Sequence, residues 1–144
     1  MGQSLASPNM KQLLLICAVV VMGQSVLAAD KKPLTKEESA KVIEAAIRKA
    51  AKKPTGELTK ADYEKVTKLN LKGNQLTDVK GLEKLTQLTV LQLSNNQLTD
   101  VKGLEKLTQL TRLDLSNNPD LTKAQIDQLQ KALPNCFISS NPTK

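Results

Sequence analysis

The chain contains the same sixteen-residue segment twice. The letters NQLTDVKGLEKLTQLT occupy residues 74–89 and again residues 96–111, so the offset is 22 residues. Leucines before each copy follow the same offset: Leu69, Leu91 and Leu113, then Leu71, Leu93 and Leu115. A period between about 20 and 50 residues is typical of stacked-repeat proteins, in which each unit contacts only its neighbours. The chain is therefore expected to fold as a row of similar coils.

Each unit has the pattern L-x-x-L-x-L-x-x-N-x-L, which is the leucine-rich repeat signature. Successive units begin at Val66, Leu88 and Leu110, and a degenerate fourth follows a 23-residue step as Leu133-Cys136-Ile138-Asn141. Side chains alternate along a strand, so the two leucines of L-x-L share one face. Each coil thus adds one strand to a parallel sheet, and the fourth strand is expected at residues 135–139 with Cys136 in the place of Leu113.

An asparagine recurs after each strand and forms a predicted structural ladder. An amide group both donates and accepts hydrogen bonds, so it can satisfy backbone groups inside a tight bend. The ladder comprises Asn74, Asn96, Asn118 and Asn141. The segment Asp-Val-Lys-Gly-Leu that follows is too short for a long helix, so a 3₁₀ or single-turn helix is expected. Asp78 and Asp100 recur with the coil and are interpreted as turn caps rather than as metal ligands.

Helical caps are predicted at both ends of the repeats. Residues 30–65 form the N-terminal cap, with a first helix over residues 35–53 and a second that begins at Thr59. The apolar face of the first helix is predicted to contain Ala40, Ile43, Ile47 and Ala50. Residues 66–144 contain the repeats, a helix that begins after Thr122 and the terminal edge strand. Capping boxes support the helix starts, with Thr35 and Glu38, Thr59 and Asp62, and Thr122 and Gln125 as the paired residues.

The unit N-x-L-T-D-V followed by G-L-x-x-L-T-x-L resembles the internalin-like class of bacterial leucine-rich repeats. The stretch Ile43 to Arg48, followed by Pro54, Gly56 and Leu58-Thr59, resembles the helical cap that precedes such arrays. The resemblance implies an α/β fold: a right-handed solenoid of three coils plus a terminal strand, with a short curved parallel sheet. It also implies protein binding, typically on the concave sheet. Internalins carry many more repeats, so no family ligand is carried over.

Residues 1–29 have the composition of a secretion signal. One base, Lys11, precedes an apolar run from Leu13 to Met22, and small residues close the segment at Ala28-Ala29. The run has ten residues, whereas a membrane span needs roughly 20. An uncleaved anchor is the alternative, and Met10 is a second candidate start. Cleavage predicts export to the periplasm, cell envelope or medium, without stable membrane insertion. The remaining chain has a net charge of +6, from 20 bases and 14 acids.

The residue types favour binding over catalysis. The chain has no histidine, so the commonest general base and metal ligand is missing. Cys136 is expected in the core as a small hydrophobe, with a reactive or dimer-forming thiol as the alternative. No enzyme activity, cofactor or metal is predicted. Bases alternate with acids and no aromatic stacking platform exists, so nucleic-acid binding is not expected. Weak attraction to acidic surfaces is expected, as is a monomer or weak dimer.

The predicted binding face consists of the side chains that alternate with the strand leucines. They are Lys68, Asn70, Lys72, Val90, Gln92, Ser94, Arg112, Asp114 and Ser116, with Asn135, Phe137 and Ser139 in the last strand. The two coils that share sixteen letters differ here, at Val90 against Arg112 and at Gln92 against Asp114. Sequence difference is therefore concentrated where a partner would touch.

These observations predict an exported, non-catalytic module that recognises a protein or peptide on its concave sheet. Three outward residues on each of four strands give twelve, fewer than the roughly 20–30 residues that each side of a standard interface uses. A peptide ligand, weak binding or dimerisation is therefore expected. The alternative is a structural cell-envelope protein with no dedicated ligand. An intracellular scaffold is a third interpretation if the N-terminal segment is not a signal.

Overall fold

A computed structural model of the protein describes residues 32–140. The predicted signal and Asn141 lie outside this range. Four three-residue strands form one sheet in the order β1-β2-β3-β4. They are β1 (Lys68–Asn70), β2 (Val90–Gln92), β3 (Arg112–Asp114) and β4 (Phe137–Ser139). Each strand pairs in parallel with the next along the chain, which is the topology of a leucine-rich repeat solenoid.

The leucines of the repeat form a continuous core beneath the sheet. Leu91, Leu93 and Leu98 of the middle coil are fully buried. The leucines one period before them are buried as well, and so are those one period after Leu91 and Leu93. The core includes Ile43 of the N-terminal cap and extends to Cys136. Neighbouring coils cover leucines that a single coil would leave half exposed, so burial of the core depends on stacking.

Short 3₁₀ helices form the return side of two coils, as the sequence predicted. They span Leu82–Lys84 and Leu104–Lys106. Gly81 and Gly103 precede them at φ of +101° and +96°, a region that L-residues with a side chain rarely adopt. A positive φ reverses the chain immediately before each short helix, so the return fits within a 22-residue coil.

The N-terminal cap contains helix α1 (Lys36–Ala51) and the short helix α2 (Lys60–Glu64). Thr35 and Glu38 make the predicted capping box of α1, and Thr59 and Asp62 make that of α2. Leu58 and Tyr63, on either side of the α2 start, pack against the core. These side-chain caps satisfy backbone N–H groups that the first helical turn leaves without a partner.

The buried face of α1 differs from the prediction. The buried residues are Ser39, Ile43, Ile47 and Ala51, whereas Ala40 is only half-buried and Ala50 is exposed. The buried residues are four positions apart, and each such step advances about 40° around the helix axis. The row of buried side chains is therefore inclined to the axis. Helix α1 therefore crosses the repeat surface at an angle, which places Ala40 and Ala50 on opposite sides of the contact.

The C-terminal part contains helix α3 (Lys123–Ala132), which begins at the capping box of Thr122 and Gln125. Ile126, Leu129 and Leu133 are buried as predicted. The return side of the third coil is therefore a regular helix, and it uses more residues than the 3₁₀ returns of the earlier coils.

The register of the last strand corrects the prediction. Phe137 pairs with Arg112 and Ile138 with Leu113, so the last step is 25 residues and not 23. Asn135 lies before β4 and does not occupy the position opposite Arg112. The shift is an even number of residues, so each side chain keeps its face. Phe137 still lies on the concave side, and Cys136 is still buried, although it precedes the strand.

Candidate binding face

The concave side of the sheet carries two rows of side chains in register across all four strands. The first row is Lys68, Val90, Arg112 and Phe137, and the second is Asn70, Gln92, Asp114 and Ser139. Adjacent strands lie about 4.8 Å apart. We refer to these eight residues, together with Lys72, as the strand face. The structure thus brings side chains from four strands, which are distant in sequence, onto one continuous surface.

A third row follows the strands and contains Lys72, Ser94 and Ser116. The backbone pairing continues here, because Gly73 N donates to Ser94 O at 3.0 Å and Asn95 N donates to Ser116 O at 3.0 Å. Ser94 is only 3% exposed, contrary to its predicted place on the accessible surface. Its hydroxyl oxygen is buried and makes no well-formed hydrogen bond among residues 32–140, although it lies close enough to Asp114 to help lower the pKa of that carboxyl. Ser94 therefore does not present its side chain to a ligand.

Asp114 is the carboxylate at the centre of the strand face. Its Oδ1 accepts hydrogen bonds from the Ser116 hydroxyl at 2.6 Å and from the Ser116 backbone N–H at 3.1 Å. Burial acts to raise the pKa of Asp114. The hydrogen bonds from Ser116, the nearby Ser94 hydroxyl and the positive charge of Lys72 outweigh this effect, so that the pKa lies below its usual value. The carboxylate is thus charged at neutral pH and oriented by its own strand end.

Three cations lie on the strand face with this carboxylate. Lys68, Lys72 and Arg112 are exposed, and none forms an ion pair with another part of the chain between residues 32 and 140. The strand face therefore has three positive charges against one negative charge. Phe137 adds an apolar group in the row of Arg112, with 68% of its surface exposed, and it is the large hydrophobic residue that stands out as exposed in the described range.

Asparagines on the neighbouring bend connect adjacent coils. Oδ1 of Asn96 accepts from the backbone N–H groups of Asn74 and Leu76, both at 3.0 Å. Its Nδ2 donates to the carbonyl oxygens of Leu71 and Leu93. Asn118 repeats this arrangement one coil later with Leu98, Leu93 and Leu115. Asn74 differs, because its Nδ2 donates to the nearby Lys72 carbonyl within the same bend, at 3.2 Å.

Groups with catalytic or metal-binding chemistry do not converge in the described range. No cluster of three His, Cys, Asp or Glu side chains suited to a metal ion occurs within residues 32–140. Asp78 and Asp100 each accept a backbone N–H two residues ahead, at 3.0 Å, which is a turn-capping geometry. Burial raises the pKa of the Cys136 thiol, so the nucleophilic thiolate is disfavoured. From Lys32 to Ser140, no helix is long and apolar enough to cross a membrane.

A second concavity lies between α1 and the first return segment, where sequence reasoning placed no site. Its volume is about 420 Å³, and its lining includes Ile43, Leu58 and Tyr63. The ammonium of Lys84 lies 5.5 Å from the centre of the Tyr63 ring. Tyr63 is the single tyrosine of the chain and was the signal available in the sequence, but no site was predicted from it.

Comparisons with known proteins agree with this architecture. The family model described as leucine-rich repeats (2 copies) matches residues 64–106 and 86–135. An internalin (inlF) from Listeria monocytogenes is similar in structure, with a TM-score of 0.60 and 26% identity over 72% of this chain. An internalin C2 (inlC2) from the same species has a TM-score of 0.48 and 22% identity over 72% of this chain.

The chain spans 31% of the first internalin and 56% of the second. No curated protein sequence matches it significantly. The two family-model matches together extend over residues 64–135, which is half of the 144 residues. With its parallel sheet, stacked leucine core and internalin-like repeat, the chain belongs to the leucine-rich repeat family.

Proposed function

We propose that this protein is a non-catalytic binding module that recognises a protein or peptide on its strand face. The observation that carries the proposal is the coincidence of two features on one surface. The strand face holds the positions at which residues 74–95 and 96–117, two stretches that are otherwise identical, differ: Val90 against Arg112 and Gln92 against Asp114. It also holds the exposed Phe137 and cations without an ion-pair partner among residues 32–140.

The size of the surface favours a small ligand. Four strands at about 4.8 Å spacing give a width of about 14 Å between the outer strands. Such a surface is small compared with the roughly 800 Å² that each partner buries in a standard protein interface. A peptide segment or a weakly bound protein loop fits this scale, whereas a large globular partner would need additional contacts on the caps.

Aromatic and arginine side chains most often dominate binding energy, so Arg112 and Phe137 are the expected anchors. The change of Arg112 or Phe137 to Ala should weaken binding of a captured partner by at least about tenfold. The dissociation constant is measured by calorimetry with partner recovered from envelope or medium fractions. Lys106→Ala, which removes one charge on the return side, is the control and should change the constant less than about twofold.

Unfolding curves of each variant show whether the fold is retained, because Arg112 and Phe137 are exposed and their loss should leave stability nearly unchanged. Binding that is abolished by Lys106→Ala while Arg112→Ala and Phe137→Ala have no effect would place the site elsewhere. A dissociation constant that none of the three substitutions changes would favour the structural cell-envelope role.

We also propose that the protein acts outside the cytoplasm. The support is the order of charge, apolar run and small residues across residues 1–29. The exported protein should lack these residues, with cleavage after Ala28 or Ala29. Intact-mass measurement of protein from the envelope and the medium checks this expectation. Full-length protein found in the cytoplasm would contradict it.

A further inference from the structure

We infer that the ligand of the strand face is an acidic peptide segment, with its carboxylates toward β1 and an apolar residue on Phe137 at β4. The inference rests on the proposed binding role of this face. It goes further by naming the charge, the polarity and the approximate length of the segment.

Three cations are gathered on the strand face, and none of them forms an ion pair among residues 32–140. Ion pairs elsewhere join Arg48 to Glu44, Lys53 to Asp62 and Lys123 to Asp127. Within residues 32–140, Lys68, Lys72 and Arg112 have no such carboxylate. Two of them, Lys68 and Lys72, are on or next to β1, and Arg112 is in the same row as Lys68 two strands away. Carboxylates of a ligand would complement these charges.

The one acid of the face neutralises little of this charge. Asp114 is half-buried, and one of its oxygens already accepts two hydrogen bonds from Ser116. Its position in the centre of the face would repel a uniformly charged polyanion that crosses the sheet. A peptide avoids this repulsion, because its carboxylates are separated and its backbone N–H groups can donate to Asp114.

Two amide side chains in the same row as Asp114 also suit a peptide. Gln92 is exposed and can both donate to a backbone carbonyl and accept from a backbone N–H. Oδ1 of Asn70 accepts a hydrogen bond from the backbone N–H of Lys72 at 3.0 Å. The NH₂ group of the same amide therefore points away from Lys72. The second row therefore carries hydrogen-bonding groups, while the first row carries charge and apolar surface.

The order of the first row sets the polarity and length of the segment. Lys68, Val90, Arg112 and Phe137 follow one another across the sheet, so three strand spacings of about 4.8 Å separate the cation from the ring. An extended chain advances about 3.3–3.6 Å per residue. A segment of about five residues therefore reaches from Lys68 to Phe137, with acidic residues at one end and an apolar residue at the other.

The experiment selects binders from a displayed library of random peptides with the whole protein and with two double variants. Lys68→Glu with Lys72→Glu reverses the charge beside β1. Lys80→Glu with Lys106→Glu makes the same total change on the return side and is the matched control. Peptides selected by the unchanged protein should be acidic, with an apolar residue four or five positions from the acids. The strand-face double variant should bind them at least about tenfold more weakly, and the control less than about threefold.

The possible outcomes separate this inference from the proposed function. Selected peptides that lose affinity with Arg112→Ala or Phe137→Ala but show no acidic bias would overturn the inference and leave the strand face as the site. Equal loss in both double variants would overturn it in favour of diffuse attraction. Polyglutamate or heparin that competes as well as the selected peptides would overturn it in favour of a polyanion, and failure to select any peptide would overturn it outright.

Discussion

Asn96 connects two coils through one amide group. It is buried, and its side chain serves two backbone N–H groups and two backbone carbonyls. Asn118 makes corresponding bonds one period later. The side chain of Asn74 donates a hydrogen bond within its own bend, and Asn74 is partly exposed. Asparagines at the same repeat position therefore differ in their contribution to stability, according to whether another coil precedes them.

Replacement of Asn96 by Ala should destabilise the protein by roughly 3 kcal/mol, because buried backbone groups would lose their partners at about 1–3 kcal/mol each and water can satisfy some of them. Asn74→Ala should cost about 1 kcal/mol, since its carbonyl partner can bind water. Urea unfolding followed by circular dichroism measures both. Equal losses for the two variants would show that the ladder does not depend on the preceding coil.

Asp62 is a buried carboxylate that joins α2 to the end of α1. Its Oδ2 accepts from the Lys53 ammonium at 2.7 Å, from the Thr59 backbone N–H at 2.9 Å and from the Thr59 hydroxyl at 2.8 Å. The hydrogen bond from Lys53, followed by those from Thr59, holds the pKa of Asp62 well below its usual range, although burial opposes this effect. The charged form is thus stabilised by folding.

The sign of the pKa shift predicts how stability depends on pH. Because the pKa is lower in the folded state, the stabilisation is complete above the unfolded value of about 3.9 and is lost as pH falls toward the folded value. Thermal unfolding of the protein and of Asp62→Asn should therefore differ by a constant amount between about pH 7 and pH 5, and the difference should shrink below about pH 4. A difference that stays constant down to pH 3 would contradict the role of this charge.

At the scale of elements, each strand is short and depends on its neighbours. Strand β2 contains Leu91, which is 0% exposed, between two outward residues. The strand pairs on both sides, with Leu69 and Leu113 opposite Leu91. Loss of its side-chain volume would leave a cavity that three coils share.

Leu91→Ala should lower the free energy of unfolding by about 2–5 kcal/mol, the range for buried leucine. Gln92→Ala in the same strand is the control and should cost less than about 0.5 kcal/mol, because that side chain is exposed. Chemical denaturation of the two variants gives the comparison. A loss below about 0.5 kcal/mol for Leu91→Ala would mean that the strand faces are reversed.

The helical caps show which features local sequence patterns predict and which they do not. All three capping boxes form where the sequence predicted them, because a capping box depends on residues three positions apart. The buried face of α1 was predicted less well, since Ala50 is exposed and Ser39 is buried. That outcome depends on the angle at which the helix crosses the repeats, and helical spacing alone does not specify this angle.

At the scale of the whole molecule, the sequence by itself determined the repeat, the strands, their two faces and the family. These follow from spacing: a period of 22 residues sets the coil, and alternation along a strand sets its faces. Only the tertiary structure decided the register of β4, the burial of Ser94 and the lack of ion-pair partners around Arg112 within residues 32–140. Register depends on how many residues α3 uses before the chain returns to the sheet. Burial and charge pairing depend on side chains of other coils, whose distances no local pattern specifies.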